Sequence, residues 1–284
     1  MAASILVTGA TGNVGAEIVK ILRDRGISVA AAVRNPAKAR EQLGDGVDYV
    51  PFDFGEPATF AAALVGIKSL FIIRPPAVSD AEVIKAVISA ARTAGVDHIV
   101  FLSIQGGEKN RFVPHYKIEQ AIMRSGLTWT FLRAGFFMQN LNTTHRTEIK
   151  ERNEIFVPAG KGRTSFIDVR DIAAVGAKAL SEPGHENKAY TLTGNVALNY
   201  HEVASTFSSV LGRPIVYCEP SLLGFARGKR AEGTAWPFIA ILCTLYTTAR
   251  FGLAAGISDD LVRVLGRQPI PLRQYVQDYR AAWE

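Results

Sequence analysis

Near the start of the chain, Ser4-Ile5-Leu6-Val7 runs into Thr8-Gly9-Ala10-Thr11-Gly12-Asn13-Val14-Gly15, after which Ile18, Ile21 and Leu22 recur at helical spacing. A short apolar run, a glycine-rich turn and an amphipathic stretch, in that order, constrain the fold more than any other feature. They read as a buried parallel strand, a tight turn and the first helix of a nucleotide-binding βαβ unit. In such a unit Gly9 permits the turn, Gly12 lets the backbone approach a pyrophosphate, and Gly15 lets the helix pack closely on the sheet. Phosphates then meet free N–H groups and the positive end of the helix dipole. Gly9, Ala10, Thr11, Gly12, Asn13 and Val14 are therefore candidate cofactor-binding residues.

Any tight strand-to-helix turn can use glycines spaced in this way, so the second strand carries the discrimination. Ile27 to Val33 is apolar and ends in Arg34-Asn35-Pro36-Ala37-Lys38. A site for the unphosphorylated dinucleotide places Asp or Glu at this strand end, to accept hydrogen bonds from ribose hydroxyls. No acid stands there. A guanidinium at Arg34 with an ammonium at Lys38 suits a 2′-phosphate, through charge-assisted hydrogen bonds. The expected cofactor is NADP(H), against the plainer reading of a solvated basic loop.

Apolar runs alternate with helix-like segments through the first half: strands near 4–8, 27–33, 47–52, 67–73, 97–103 and 127–132, and helices near 14–25, 36–43, 57–64, 80–94 and 115–125. Such alternation predicts an α/β fold, a Rossmann-type doubly wound parallel sheet with helices on both faces. Beyond Gly135 the pattern is less regular: strands at 164–167 and 189–193, and helices at 168–180, 199–211, 219–230, 236–252, 258–265 and 272–283, with Asp168 and Asn199 as N-caps. The expected division is a nucleotide-binding domain over 1–154 and a smaller α/β substrate cap over 155–284, intertwined with it, that folds over the carboxyl ends of the strands.

With 284 residues and 48% apolar content the chain is long enough for such a body and is not disordered. The net charge of +6 is spread in small groups. No basic run interleaved with aromatics argues for nucleic acid, and a phosphate-rich cofactor accounts for the basic excess. Cys218 and Cys243 have no companion at metal-ligand spacing; they read as small core residues, and no metal is expected. The amino terminus carries no basic-then-apolar leader, which predicts a cytoplasmic protein. Trp236 to Ala255 is the most apolar stretch, but Arg250 interrupts it before the roughly 20 residues of a membrane helix. It reads as a buried or interface helix.

At the end of the fifth strand stands Ser103, and His115-Tyr116-Lys117-Ile118-Glu119 follows shortly after it. The arrangement is similar to the active site of short-chain dehydrogenases, in which such a Ser assists a Tyr followed four residues later by Lys. Here that position is Gln120, and Lys117 is the immediate neighbour of Tyr116, about 100° away around a helix. The Tyr–Lys proton relay is not supported.

The glycine turn, Arg34-Asn35-Pro36, His115 to Glu119, the stretch from Gly126-Leu127-Thr128 to Gly135-Phe136-Phe137-Met138-Gln139-Asn140, and Ser258 to Arg267 together give a resemblance over nearly the whole chain. The chain resembles the NmrA-like group of atypical short-chain dehydrogenases. That group contains NADPH-dependent quinone reductases, triphenylmethane-dye reductases, plant phenylpropanoid reductases and non-catalytic redox-sensing regulators. The resemblance implies that residues after the fourth, fifth and sixth strands line the nicotinamide side, here Ile73-Arg74-Pro75, Ser103 and Gly135-Phe136-Phe137. Asp53 and Phe54, past the third strand, complete the cofactor-binding candidates. Lys117 corresponds to the helix lysine of the phenylpropanoid reductases, as a proton-transfer group or a holder of the cofactor ribose.

Plainer readings stand beside these. Ser103 reads equally as a strand-end group satisfying backbone partners, His115 as a solvated or capping residue, Tyr116 as a packed ring, Lys117 as an exposed helix lysine and Glu119 as a helix-surface charge. One of Phe136 and Phe137 is expected in the core and the other near a planar ring. Asn140, Trp236 and Tyr246 are the remaining substrate candidates; helix packing or a homodimer contact is the alternative for the two aromatics. Because the nicotinamide supplies the reducing chemistry, a missing proton relay suits readily reduced acceptors. The expectation is an NADPH-dependent reductase transferring hydride to a quinone or other small planar conjugated acceptor, with Lys117, Tyr116 and His115 as catalytic candidates. The alternative is a non-catalytic NADP(H)-binding regulator acting through a protein partner.

Overall fold

The computed structural model describes residues 3–75 and 81–284. Asp80, the expected start of the fourth helix, lies outside the described residues. The chain folds into two units. The first comprises the described residues of Met1–Ala134, Val169–Leu192 and Arg263–Gly266, and the second Gly135–Asp168, Thr193–Val262 and Arg267–Glu284.

The first unit is built on β1 (Ile5–Thr8), β2 (Val29–Val33), β3 (Asp48–Pro51), β4 (Ser69–Ile73), β5 (His98–Ile104) and β6 (Thr128–Ala134), joined by a late strand, β10 (Lys188–Leu192). Among the described residues these form one seven-stranded sheet in the spatial order β3-β2-β1-β4-β5-β6-β10. Every pairing is parallel. The inner strands are apolar on both faces, as the four buried residues of β1 and the five of β2 show, because helices cover both sides of a parallel sheet. Those helices are α1 (Asn13–Asp24), α2 (Pro36–Leu43), α3 (Ala58–Ala63), α4 (Ala81–Thr93), α5 (Pro114–Arg124) and α6 (Val169–Ser181). One face buries Leu6, Leu70, Ile72, Ile99 and Phe101 with α3, α4 and α5. On α6 a side chain at Gly176 would press on Ile18 of α1 and Leu132 of β6, at 3.0 and 3.2 Å. The strand order reverses between β1 and β4, and in open α/β sheets ligands bind outside the carboxyl ends of the strands at such a switch point.

The second unit has β7 (Phe136–Phe137), β8 (Glu154–Ile155), β9 (Thr164–Ile167), β11 (Ala197–Leu198) and β12 (Val216–Tyr217), arranged as the sheets β11-β9-β7 and β12-β8. Its helices include α7 (Tyr200–Leu211), α8 (Leu222–Ala231), α9 (Trp236–Arg250) and α11 (Leu272–Asp278); α10 (Asp260–Leu265) precedes the last. The core here is aromatic: Phe166, Tyr200, Phe207, Phe225, Tyr246 and Trp283 are all buried. Asn199 caps α7 in a capping box with Glu202, as its position predicts. Asp168 precedes α6 and accepts a hydrogen bond from Gln139 Nε2 at 2.9 Å.

Several helix boundaries and both cysteines depart from expectation. α8 starts at Leu222 rather than 219, because Ser221 Oγ accepts from Gly224 N–H at 3.1 Å and sets the cap. The last helix stops at Asp278, and a short 3-10 turn, Arg280–Ala282, follows. Cys218 is exposed and Cys243 half-buried, so neither is a core residue. Among the described residues no helix is long and apolar enough to cross a membrane, and no cluster of metal-ligating side chains occurs.

Candidate functional site

The loop after β1 is built by side chains that are missing. Gly9 sits at φ +61, and a Cβ on it would fall inside Ile73 Cγ2 of β4. A Cβ on Gly15 would collide with the Gly9 carbonyl, at 2.8 Å from its carbon. At Gly12 a Cβ would lie 3.2 Å from the Gly9 carbonyl oxygen, a less severe but still tight contact with backbone. Gly12 N–H donates to Gly9 O at 2.9 Å and closes the turn. Across the switch point Thr8 Oγ1 accepts from Ile73 N–H at 3.1 Å, tying the end of β4 to the loop. Ala10 and Val14 are buried, while Thr11, Gly12 and Asn13 face solvent. α1 begins with no capping side chain and no acid in its first turn, which leaves its leading N–H groups to an external acceptor.

Arg34, directly after β2, and Lys38, on the first turn of α2, are both exposed. Neither side chain has a hydrogen-bond or ion-pair partner among the described residues. Asn35 Oδ1 accepts from Lys38 N–H at 3.1 Å and Pro36 occupies the first helical position, so the helix fixes where both cations emerge. The next cation, Arg40, is committed to Asp45 at 3.0 Å and lies over the Tyr49 ring. Asp53 is turned inward on its own loop, accepting from Gly55 N–H at 2.8 Å, and Phe54 sets its edge against Phe52. Ile73, Arg74 and Pro75 are half-buried at the end of β4, and burial lowers the pKa of the Arg74 guanidinium.

Past β5 the structure corrects two readings. Ser103 is buried, and its hydroxyl donates to Glu119 Oε1 at 2.6 Å instead of meeting backbone groups. Glu119 is not a helix-surface charge: it is 1% exposed and takes a bidentate pair of bonds from Arg133 of β6, Nε to Oε1 at 3.1 Å and Nη2 to Oε2 at 2.7 Å. Burial opposes the Arg133 charge, but the hydrogen bonds and field of Glu119, with Glu108, prevail and raise its pKa. Sequence reasoning missed this junction; its one signal is Arg133 as the single charge in the Trp129–Ala134 stretch.

His115, Tyr116 and Lys117 lie on the first turn of α5. His115 is half-buried, with its ring 6.0 Å from that of Phe101, and is neither a cap nor solvated. Burial, reinforced by the charge of Arg74, pushes its pKa down to about 4. It is therefore neutral near pH 7. Tyr116 is half-buried and Lys117 exposed.

The first unit thus gathers the glycine loop, Arg34, Lys38, Asp53, Phe54, Ile73-Arg74-Pro75 and the α5 turn. Gly135, Phe136, Phe137, Asn140, Trp236 and Tyr246 belong to the second. Phe136 is the core member of the phenylalanine pair, edge-on to Phe166 at 5.4 Å and tilted against Tyr246 at 5.8 Å. Phe137 and Asn140 are half-buried. Trp236 is 57% exposed, whereas Tyr246 is fully buried with its hydroxyl on His145 Nε2, which makes it a core residue rather than a substrate contact.

Comparison with known proteins gives a consistent picture. The sequence model of the NmrA-like family matches residues 1–222. An NAD(P)H azoreductase of Xenophilus azovorans is 37% identical over 283 residues, covering 98% of this chain and 99% of the relative. Among solved structures, the triphenylmethane reductase of Citrobacter sp. complexed with NADP(H) superposes with a TM-score of 0.86 at 29% identity, covering 97% of this chain and 99% of that one. The NADPH-dependent quinone oxidoreductase of Escherichia coli complexed with NADPH gives 0.88 at 28% identity, with the same coverage.

Proposed function

The chain belongs to the NmrA-like family, and from that premise we propose that it is an NADPH-dependent reductase that passes hydride to a quinone or other small planar conjugated acceptor. The observation that carries the reading is the switch-point rim: an uncapped helix start with no acid in its first turn, behind a tight glycine loop and flanked by two cations that have no partner among the described residues. Those residues fit NADPH, whose nicotinamide supplies the hydride when bound. The N–H groups at the start of α1 hold the pyrophosphate, and Arg34 with Lys38 holds the 2′-phosphate. Asp53 and Phe54 serve the adenosine end, Ile73-Arg74-Pro75 the nicotinamide end, and Lys117 the adjoining ribose.

Protonation follows from the α5 turn. With its pKa held at about 4, His115 carries almost no proton to give at neutral pH. An acceptor whose electrons arrive on conjugated oxygens or nitrogens takes its protons from water, whereas an aliphatic ketone needs a positioned acid. The site therefore suits quinones and dyes. Phe137, Asn140 and Trp236 are the acceptor-side candidates.

The test is NADPH oxidation followed against quinones, azo and triphenylmethane dyes and enones. Saturable oxidation with the planar acceptors is expected. Tight NADPH binding with oxidation no faster than buffer across the whole panel would overturn the reading.

A further inference from the structure

We propose that Glu119 is a positioning residue: clamped by Arg133, it fixes the first turn of α5 and with it the placement of Lys117 for the nicotinamide end of the cofactor. The inference rests on the reductase reading for where that cofactor lies. It starts from strand register. Ser103 of β5 and Arg133 of β6 are direct partners, so their side chains project side by side on one face of the sheet. Glu119 receives both, through one hydroxyl and two guanidinium bonds on its two oxygens.

The same guanidinium reaches back to Glu108, whose Oε2 lies 3.6 Å from Arg133 Nε, in the 3-10 turn Gly107–Lys109. The connection from β5 to α5 is thus held at its start by Ser103, in its middle by Glu108 and beyond its end by Glu119. Helix geometry carries the restraint to the rest of the turn. His115 and Glu119 are four residues apart and share the face that also buries Ile118 and Ile122. Lys117, two residues away, projects about 200° round the helix and is exposed. One face of α5 is locked so that the other is presented in a fixed place.

Net stability does not explain a charge buried this deeply, since the desolvation of such a pair largely cancels its attraction. Orientation does: a bidentate guanidinium–carboxylate pair fixes distance and angle together.

The experiment compares Glu119→Gln and Arg133→Lys with wild type by calorimetric titration of NADPH and of NADH, below the unfolding temperature of each variant. Displacing Lys117 weakens the ribose contact that both cofactors share. We expect Kd to rise roughly five- to tenfold for NADPH and NADH alike, at unchanged stoichiometry, with a larger loss in quinone turnover. Arg133→Lys keeps the charge without the fork and should show the same pattern. Constant Kd with reduced stoichiometry would mark a purely structural role and overturn the proposal, as would Kd values within about twofold of wild type. If Glu119→Gln does not fold, Arg133→Lys and Ser103→Ala decide by the same criteria. Wild-type protein that binds NADPH but reduces no acceptor sinks the reductase reading, while the Kd comparison still decides this one.

Discussion

Arg34 and Lys38, beyond the end of β2, carry their charges into solvent with no partner among the described residues, whereas Lys229, in the second unit, is 3% exposed and fully engaged. Its ammonium bonds Glu148, Glu232 at 3.0 Å and the Thr144 carbonyl at 3.2 Å. Glu148 in turn lies 3.5 Å from His145 Nδ1, and His145 Nε2 meets the Tyr246 hydroxyl. Both regions depend on cations, yet they use them in opposite senses. A buried charge must be answered from within the chain, and once answered it is committed to architecture. A rim charge left unanswered adds little to folding and remains available to a ligand.

The contrast breaks most visibly at Lys229. Lys229→Met leaves Glu148 buried without the ammonium that bonds it, and we expect a loss of about 3–5 kcal/mol in denaturant-unfolding free energy. The pH dependence sharpens the point. Burial raises the Glu148 pKa, but the hydrogen bonds and charges of His145 and Lys229 outweigh it and bring the carboxyl from 4.5 to about 2. Its stabilising contribution is therefore complete above about pH 4.5 and is lost as pH falls toward about 2. Burial depresses His145 instead, so below about pH 6.5 the unfolded chain takes up a proton that the folded chain resists, and stability again falls with acid. Lys229→Met should flatten the limb below about pH 4.5, because Glu148 then titrates closer to its unfolded value. A loss under about 1 kcal/mol would mean the network is not closed as described.

At the rim the same substitution logic predicts a binding effect and little change in folding. Arg34→Ala should weaken NADPH by about 1.5–3 kcal/mol, the range for a hydrogen bond to a charged group, with NADH nearly unaffected. Equal losses for both cofactors would remove Arg34 from the 2′-phosphate. Lys38→Ala should show the same preference at up to about 1 kcal/mol, as suits a mobile, exposed ammonium. Unfolding free energy should stay within about 0.5 kcal/mol of wild type for both.

How much of this was legible beforehand follows the same division. The rim is local in sequence: strand, glycines, helix and basic strand end occupy consecutive stretches, and the sequence reading places α2 at its observed limits. The closed junctions are not local. Glu119 meets Ser103 and Arg133 only because β5 and β6 pair in one register, and nothing within α5 distinguishes an inward Glu from a solvated one. His145, Glu148, Lys229 and Tyr246 come from segments far apart in the chain. The sequence places a strand at 189–193, one residue beyond the observed Lys188–Leu192, but not its pairing with β6, since register is decided by partners rather than by the strand itself.

His115 lies between the two extremes, half-buried and facing the Arg74 charge, with no acidic partner among the described residues to hold its proton. A general acid removed from its site costs on the order of 10²–10⁴ in rate. An imidazole whose pKa is pushed down to about 4 is already deprotonated near pH 7, so little protonated form is lost when the ring is deleted. We therefore expect His115→Ala to keep quinone turnover within about tenfold of wild type, or ~1.4 kcal/mol, and Tyr116→Phe to do the same. The kcat profile should show no inflection from His115 between about pH 5 and 8. A hundredfold or greater loss, accompanied by the disappearance of an acid limb near neutrality, would show that cofactor or acceptor restores the proton to His115 and that water is not the donor.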